Sequence, residues 1–254
     1  MIQSVDRAIR VLTALQGARR LSVTEVADRV GLPASTTHGL LRTLLAHGLV
    51  VQDRGSGRYQ LGPAVLRLGN VYLDTLELRS RAVPWAEDLA RRTGCAVRAA
   101  VLLVDDVVVI HHEPRPGGGR QMPEIGIVIP VHASALGKAI LAFAPDEADR
   151  VLAAAALRSM TGDTITAPDA LRRQLDRVRA TGVAVEQDEA VIGESVIAAP
   201  VFDSWGDAAG AIGVVLPSGG VPPEQHDAVA AVRDTARAVS RELGAPSWPP
   251  PRPA

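Results

Sequence analysis

Four hydrogen-bonding side chains stand in a row at Ser35, Thr36, Thr37 and His38, and Arg42 follows one helical turn later. Short donors and acceptors of this kind suit contact with base edges, and a cation behind them suits a phosphate. Thr24 precedes them, and Arg54 and Arg58 flank a Gly-Ser-Gly turn that follows. A second grouping is His132-Ala133-Ser134-Ala135-Leu136-Gly137-Lys138, small residues leading into a helical pattern. Small side chains there serve one of two ends: backbone N–H groups that approach an anion, with Lys138 adding charge, or close helix–sheet packing. A third is the acidic run Glu186, Asp188 and Glu189, either pocket lining or a solvated strand end.

Catalytic patterns fail on inspection. Gly137-Lys138 resembles the end of a phosphate-binding loop, but His132 and Ala139 occupy the positions that need glycine and Ser/Thr. Ser134 and Lys138 have S-x-x-x-K spacing, not the S-x-x-K of penicillin-interacting enzymes. His111 and His112 are neighbours on a strand pattern, so they point to opposite faces and cannot chelate one ion together. Neither a catalytic set nor a metal or other cofactor is expected.

The elements that must position the first grouping are legible. Ser22 and Glu25 have capping-box spacing, which starts a helix with the apolar stripe Val23, Val26, Ala27 and Val30. Gly31 ends it and Leu32-Pro33 turns the chain. A second helix runs from about Ala34 to His47, with Leu40, Leu41, Leu44 and Leu45 expected inside and Gly48 as its stop. Val5–Leu15 is a preceding helix with Val5, Ile9, Leu12 and Leu15 on one face. Residues 49–53 and 58–61 read as two short strands around the 54–57 turn. Three helices and a hairpin make a winged helix-turn-helix, with Arg54 and Arg58 where a wing meets DNA; an ordinary solvated turn is the plainer alternative.

Charge supports that reading. The 254 residues carry a net charge of -1, yet residues 1–62 hold eight arginines against four acids, and the rest holds 19 cations against 24 acids. A basic head on an acidic body is the footprint of a DNA-binding module joined to something that binds no DNA. The single cysteine, Cys95, excludes an internal disulfide and fits a reducing cytoplasm. The apolar runs are too short to span a bilayer and no signal peptide is expected, so no membrane partner is either.

Residues 63–81 read as one long linker helix whose apolar surface pairs with a second subunit or packs within its own chain. Pro84 is expected to open the next helix, which Gly94 ends. Beyond it the period becomes that of strands, at 96–104, 107–112 and 125–131, with a turn at Asp105-Asp106. Helices follow at 134–142, 146–155 and 168–180, strands at 183–186, 195–202 and 208–216, and a closing helix at 222–243. That order implies an α+β domain with a mainly antiparallel sheet. The expected domains are 1–62 (helix-turn-helix at 22–41), the linker 63–81, an effector-binding domain at 82–244, and a flexible tail at 245–254.

Ser22–Leu41, the wing through Gly57–Gly62, Pro130–Ala139 and Ala198–Asp203 together resemble the IclR family of bacterial transcriptional regulators. Ser56–Leu61, Leu73-Asp74, His111-His112 and Thr37-His38-Gly39 look closest to its glycerol-operon regulators from actinobacteria. The resemblance implies an N-terminal winged helix and a GAF-like effector domain. It implies homodimers, often paired into dimers of dimers, on palindromic double-stranded operators. Members mostly repress, some activate, and small metabolites tune them. It places Ser35, Thr36, Thr37, His38 and Arg42 on the recognition helix. It places Ser134, Ala135, Leu136 and Gly137 on the loop beside the effector, and Glu186, Val196, Gly213 and Val215 on the pocket wall. Gly39 stands where arginine commonly follows the histidine, Val196 where cysteine is frequent, and Gly213 and Val215 where serines occur, so this pocket is less polar than that of keto-acid sensors. The subgroup implies glycerol or glycerol 3-phosphate, and a phosphate would need a cation, for which Arg98 and Lys138 are the candidates. Rival readings are a constitutive DNA-binding protein whose second domain only oligomerises, and an enzyme fused to a DNA-binding head.

Overall fold

A computed structural model describes residues 2–17, 20–119, 121–154, 156–217 and 222–249. The chain forms two compact units divided between Thr75 and Leu76. Each is built around its own apolar core.

The first unit contains α1 (Gln3–Gln16), α2 (Val23–Val30), α3 (Ala34–Ala46), β1 (Val50–Gln52), β2 (Tyr59–Leu61) and α4 (Pro63–Thr75). Both halves of the capping box form at α2: the Ser22 hydroxyl accepts from the Glu25 N–H at 3.2 Å, and Glu25 accepts from the Ser22 N–H at 2.7 Å. Such a cap is worth about 1 kcal/mol. Gly31 takes the left-handed conformation (φ 64°) that closes α2. Val11, Leu15, Val26, Val30, Leu41, Leu44, Val50 and Tyr59 make the core. Each fully buried aliphatic side chain contributes about 2 kcal/mol of transfer free energy. Two core expectations fail. Leu45 is exposed and Leu40 half-buried, because Thr37, Leu41 and Leu44 follow the inward stripe of α3. Val5 and Ile9 face outward, because α1 turns Val11 and Leu15 to the core.

The expected helix at 63–81 is two helices. The Thr75 hydroxyl turns back onto the Tyr72 carbonyl at 2.7 Å, Leu76 is extended, and α5 (Glu77–Thr93) starts anew. Pro84 lies inside α5 rather than opening it. The buried stripe Leu78, Ala82, Ala86, Leu89 runs straight past the proline, so packing outweighs its missing N–H.

The second unit holds a six-stranded antiparallel sheet in the order β5-β4-β3-β8-β7-β6. Its strands are β3 (Ala96–Leu103), β4 (Asp106–Glu113), β5 (Val128–Pro130), β6 (Ala184–Gln187), β7 (Glu194–Phe202) and β8 (Ala208–Pro217). The β3–β4 turn falls at Val104-Asp105, one residue earlier than expected, with Val104 at φ 56°. β5 is shorter than expected because residues 125–126 form a turn. α5 and α9 (Pro222–Glu242) pack together and against β3, β7 and β8. α6 (Ala135–Leu141) packs on β3, β6, β7 and β8, beside α7 (Pro145–Leu152) and α8 (Pro168–Thr181). The α+β fold with its antiparallel sheet is as expected.

Residues 245–249 are not a loose tail. The Trp248 indole donates to the Pro200 carbonyl at 2.8 Å, stacks edge-on to Phe202 and lies under the Arg237 guanidinium. Gly182 leaves the room: a β-carbon there would sit 2.9 Å from the indole. The rest of that expected segment, 250–254, lies outside the described residues. Among the described residues, no helix is long and apolar enough to cross a membrane.

Candidate functional site

Two separate sites emerge, one on each unit. On the first unit, Ser35, His38 and Arg42 are exposed at the i, i+3, i+7 spacing of a single helical face. Thr36 beside them is half-buried, and Thr24 is exposed on the first turn of α2. Thr37 is not on this face. It is 0 % exposed, and its hydroxyl has no hydrogen-bond partner among the described residues. The helical period that exposes Ser35 and His38 turns Thr37 inward beside Leu41, so it cannot meet a base.

The wing arginines also separate. Arg54 is exposed on the β1–β2 turn. Asp53 organises that turn by accepting from the Ser56 N–H at 2.8 Å and the Ser56 hydroxyl at 2.7 Å. Arg58 points back to the body, 3.1 Å from Glu25 and 3.3 Å from the Arg20 carbonyl. It fastens the wing to the start of α2 rather than reaching out from the tip. Sequence reasoning missed this tie, because the capping glutamate and Arg58 lie 33 residues apart.

On the second unit, pairing register collects the wall residues. Glu186 pairs with Val196, Val196 with Val215, and Val215 with Ala96. The neighbouring row runs Ala184, Ala198, Gly213, Arg98, His112. Directly opposed residues share a face, so Glu186, Val196, Gly213, Val215 and Arg98 lie on the face that carries α6. His111 and His112 alternate across the sheet, as their adjacency requires. Burial, then the charge of Arg79, pushes the His111 imidazole below its usual range.

The small-residue stretch is not an open cradle. Ser134, Ala135, Leu136 and Gly137 are all buried. A β-carbon on Gly137 would lie 2.1 Å from the Val131 carbonyl oxygen, so glycine is needed for close packing of α6 on the 131–133 turn. Gly213 is equally constrained: its β-carbon would lie 2.5 Å from the Ile197 carbonyl oxygen. Packing, not ligand access, accounts for both glycines.

Charge is concentrated around this face. Lys138 is 0 % exposed, with its ammonium 2.5 Å from Glu189. Burial lowers its pKa, against the pull of Glu189 and Glu186. Glu189 also accepts weakly from the Ile165 N–H, at 3.4 Å. Glu186 is 3 % exposed and accepts from the N–H groups of Glu189 and Ala190. Burial first, and the Glu189 charge second, push its pKa up to about 7. At the end of the face toward the β4–β5 connection, a pocket of ≈ 260 Å³ is lined by Arg98, Arg115, Glu124, Glu194 and Val215 among others. Arg98 donates through Nε to Glu124, and through Nη1 and Nη2 to Glu194 at 3.1 and 3.4 Å. Burial pulls the Arg98 pKa down, but hydrogen bonds and charge from both glutamates outweigh it and hold it above its ordinary value. Among the described residues, no cluster of His, Cys, Asp and Glu could hold a metal ion.

Similarity to known proteins agrees with both halves. Residues 4–54 match the IclR helix-turn-helix domain, and residues 70–241 match the bacterial transcriptional regulator IclR C-terminal domain. The chain is 44% identical over 251 residues to the glycerol operon regulatory protein of Streptomyces coelicolor, covering 96% of this chain and 97% of that one. It superposes on an IclR transcriptional regulator from Alicyclobacillus acidocaldarius with a TM-score of 0.82 at 30% identity, over 96% of this chain and 100% of that one. An IclR homologue from Microbacterium hydrocarbonoxydans, crystallised with 4-hydroxybenzoate, gives a TM-score of 0.77 at 26% identity, over 94% and 98% of the two chains. With family matches over both units and a relative 44% identical over nearly its whole length, this chain belongs to the IclR family of DNA-binding, effector-responsive transcriptional regulators and is not an enzyme.

Proposed function

We propose that this regulator represses a catabolic operon, that for glycerol utilisation, and that glycerol or glycerol 3-phosphate releases it. The observation that carries the DNA-binding part is the single exposed face of Ser35, His38 and Arg42, set on a helix anchored by Leu41 and Leu44. Thr24, Thr36 and Arg54 are the further proposed DNA contacts, with Arg58 holding the wing to α2. The likeness to a glycerol operon regulatory protein along nearly its whole length supports the operon and the effector class. Val215, which lines the pocket that holds Arg98, supports effector binding at that end of the α6 face, while Glu186 and Val196 lie buried beneath α6.

The working form is a homodimer in the cytoplasm, bound to a palindromic operator, with pairing into a dimer of dimers. α4 buries none of its residues and presents Leu66, Leu68, Val71 and Tyr72 outward. α1 likewise presents Val5 and Ile9, and Ile2 just before it is exposed. Exposed apolar stripes of this kind suit a two-fold partner, and a two-fold axis sets two recognition helices on two half-sites. Effector binding shifts the dimer between geometries in proportion to its differential affinity for them.

A mobility-shift assay on DNA upstream of the gene and its neighbours tests the reading. Specific binding weakened by glycerol or glycerol 3-phosphate is the expected result. Specific binding that no metabolite alters would leave a constitutive binder. Absence of a specific shift at moderate salt would overturn the reading.

A further inference from the structure

We propose that Arg98 is the anion receptor of the effector pocket, and that Glu124 occupies it as an internal stand-in which a small phosphomonoester displaces. The inference rests on the effector-binding reading above and decides between a neutral polyol and its phosphate. Arg98 and Lys138 are the two cations that the sequence offers for a phosphate. Lys138 is sealed in the core, clamped by Glu189 with Glu186 beside it. Reaching it would require opening the packing of α6.

Arg98 is placed differently. Its backbone is fixed in the middle of the sheet, between β4 and β8, and its side chain is 8 % exposed and lines the pocket. Glu194, on β7 two strands away across β8, holds the two Nη groups and so fixes the guanidinium plane. The Nε edge is taken by Glu124, whose side chain is 23 % exposed and comes from the β4–β5 connection rather than from the sheet. One carboxylate is therefore built into the wall, and the other comes from outside the sheet and can swing to water. Among the described residues, the pocket's charged side chains are Arg98, Arg115, Glu124 and Glu194, which sum to zero. With Glu124 turned out they sum to +1.

An incoming group must compete with a tethered carboxylate. A neutral polyol has no charge to offer the guanidinium. A phosphomonoester carries about twice the charge of a carboxylate at pH 7 and three acceptor oxygens, which match the fork of Arg98 and leave an oxygen for Arg115. Displaced, Glu124 also leaves His112, whose Nε2 lies 4.0 Å away in the resting arrangement. Ligand binding thereby detaches the β4–β5 connection from the sheet wall at this point.

Calorimetric titration of the full-length chain with glycerol 3-phosphate, glycerol and inorganic phosphate tests this, on the wild type, Glu124→Gln and Arg98→Gln. A resting contact closed in about nine molecules of ten lowers apparent affinity about tenfold. Glu124→Gln is therefore expected to bind glycerol 3-phosphate about tenfold tighter, with no gain for glycerol, and Arg98→Gln to lose the phosphate ester. A misfolded variant cannot bind tighter, so the gain is informative even if Arg98→Gln proves unstable. If glycerol 3-phosphate binds the wild type but Glu124→Gln leaves its affinity unchanged or weaker, the stand-in role is overturned while the effector reading survives. If glycerol binds as tightly as its phosphate, Arg98 is not the receptor. If none of the probes binds the wild type, this inference falls together with the choice of effector class.

Discussion

Replacing Glu186 by glutamine should stabilise the protein at alkaline pH and leave it unchanged in acid. The Glu186 carboxyl is nearly sealed beneath the α6 face, with Glu189 for a neighbour, and its pKa rises from 4.5 to about 7. The folded state therefore binds more protons than the unfolded chain between those values, and stability falls as pH rises through that window. A displacement of that size corresponds to about 3 kcal/mol, an upper bound reached above pH 7. Glutamine keeps the acceptor oxygen for the Glu189 and Ala190 N–H groups and stays neutral throughout. The expected difference between Glu186→Gln and wild type is near zero at pH 4.5 and grows to about 3 kcal/mol at pH 8. Urea melts at several pH values, read by a probe in the second unit, give this difference directly. A difference that does not change with pH would refute the reasoning, because it would mean that the Glu186 carboxyl has the same pKa in the folded and unfolded states.

Three further outcomes follow from the geometry. Thr37→Val keeps the shape of a buried side chain while deleting an unpaired hydroxyl; it should raise stability by about 1 kcal/mol in denaturant melts without weakening operator binding, and a loss of binding would return Thr37 to the interface. Val104→Asn relieves a β-branched residue in the left-handed region at an exposed turn and should stabilise by about 1 kcal/mol, with a lower melting temperature as the contrary result. Arg42→Ala should weaken operator binding and reduce the salt slope of log K by about 1, whereas an unchanged slope would remove Arg42 from the phosphates.

Features set by near neighbours in the chain were legible before folding. The Ser22–Glu25 cap, the Gly31 stop and the 3.6-residue period of α3 are local, and each appears where its residues stand. Features set by distant partners were not. Thr37 reads as one more polar residue in a run until the core selects which side of α3 faces it. Arg58 reads as a wing-tip cation until Glu25 arrives from α2. The gathering of Glu186, Val196, Gly213, Val215 and Arg98 on one face depends on strand register across four strands, which no single segment encodes. The small residues at 133–137 suited two explanations equally, and the approach of Val131 to Gly137 decides for packing. The proline in α5 and the docked Trp248 follow the same pattern: a local signal overridden by a contact made from the other end of the domain.

The sealed position of Lys138 has a consequence for chemistry done on this protein from outside. Among 27 basic residues it is the only lysine, and its amine is enclosed and paired with Glu189. The other 26 of these are arginines, whose guanidinium groups acylating reagents leave alone. The chain thus offers a single side-chain amine, and it is hidden while the second unit is closed. Acylation of Lys138, followed by mass spectrometry, then acts as a clock for the opening of that unit, with a rate that reports on how often α6 lifts from the sheet and how far a bound metabolite slows it.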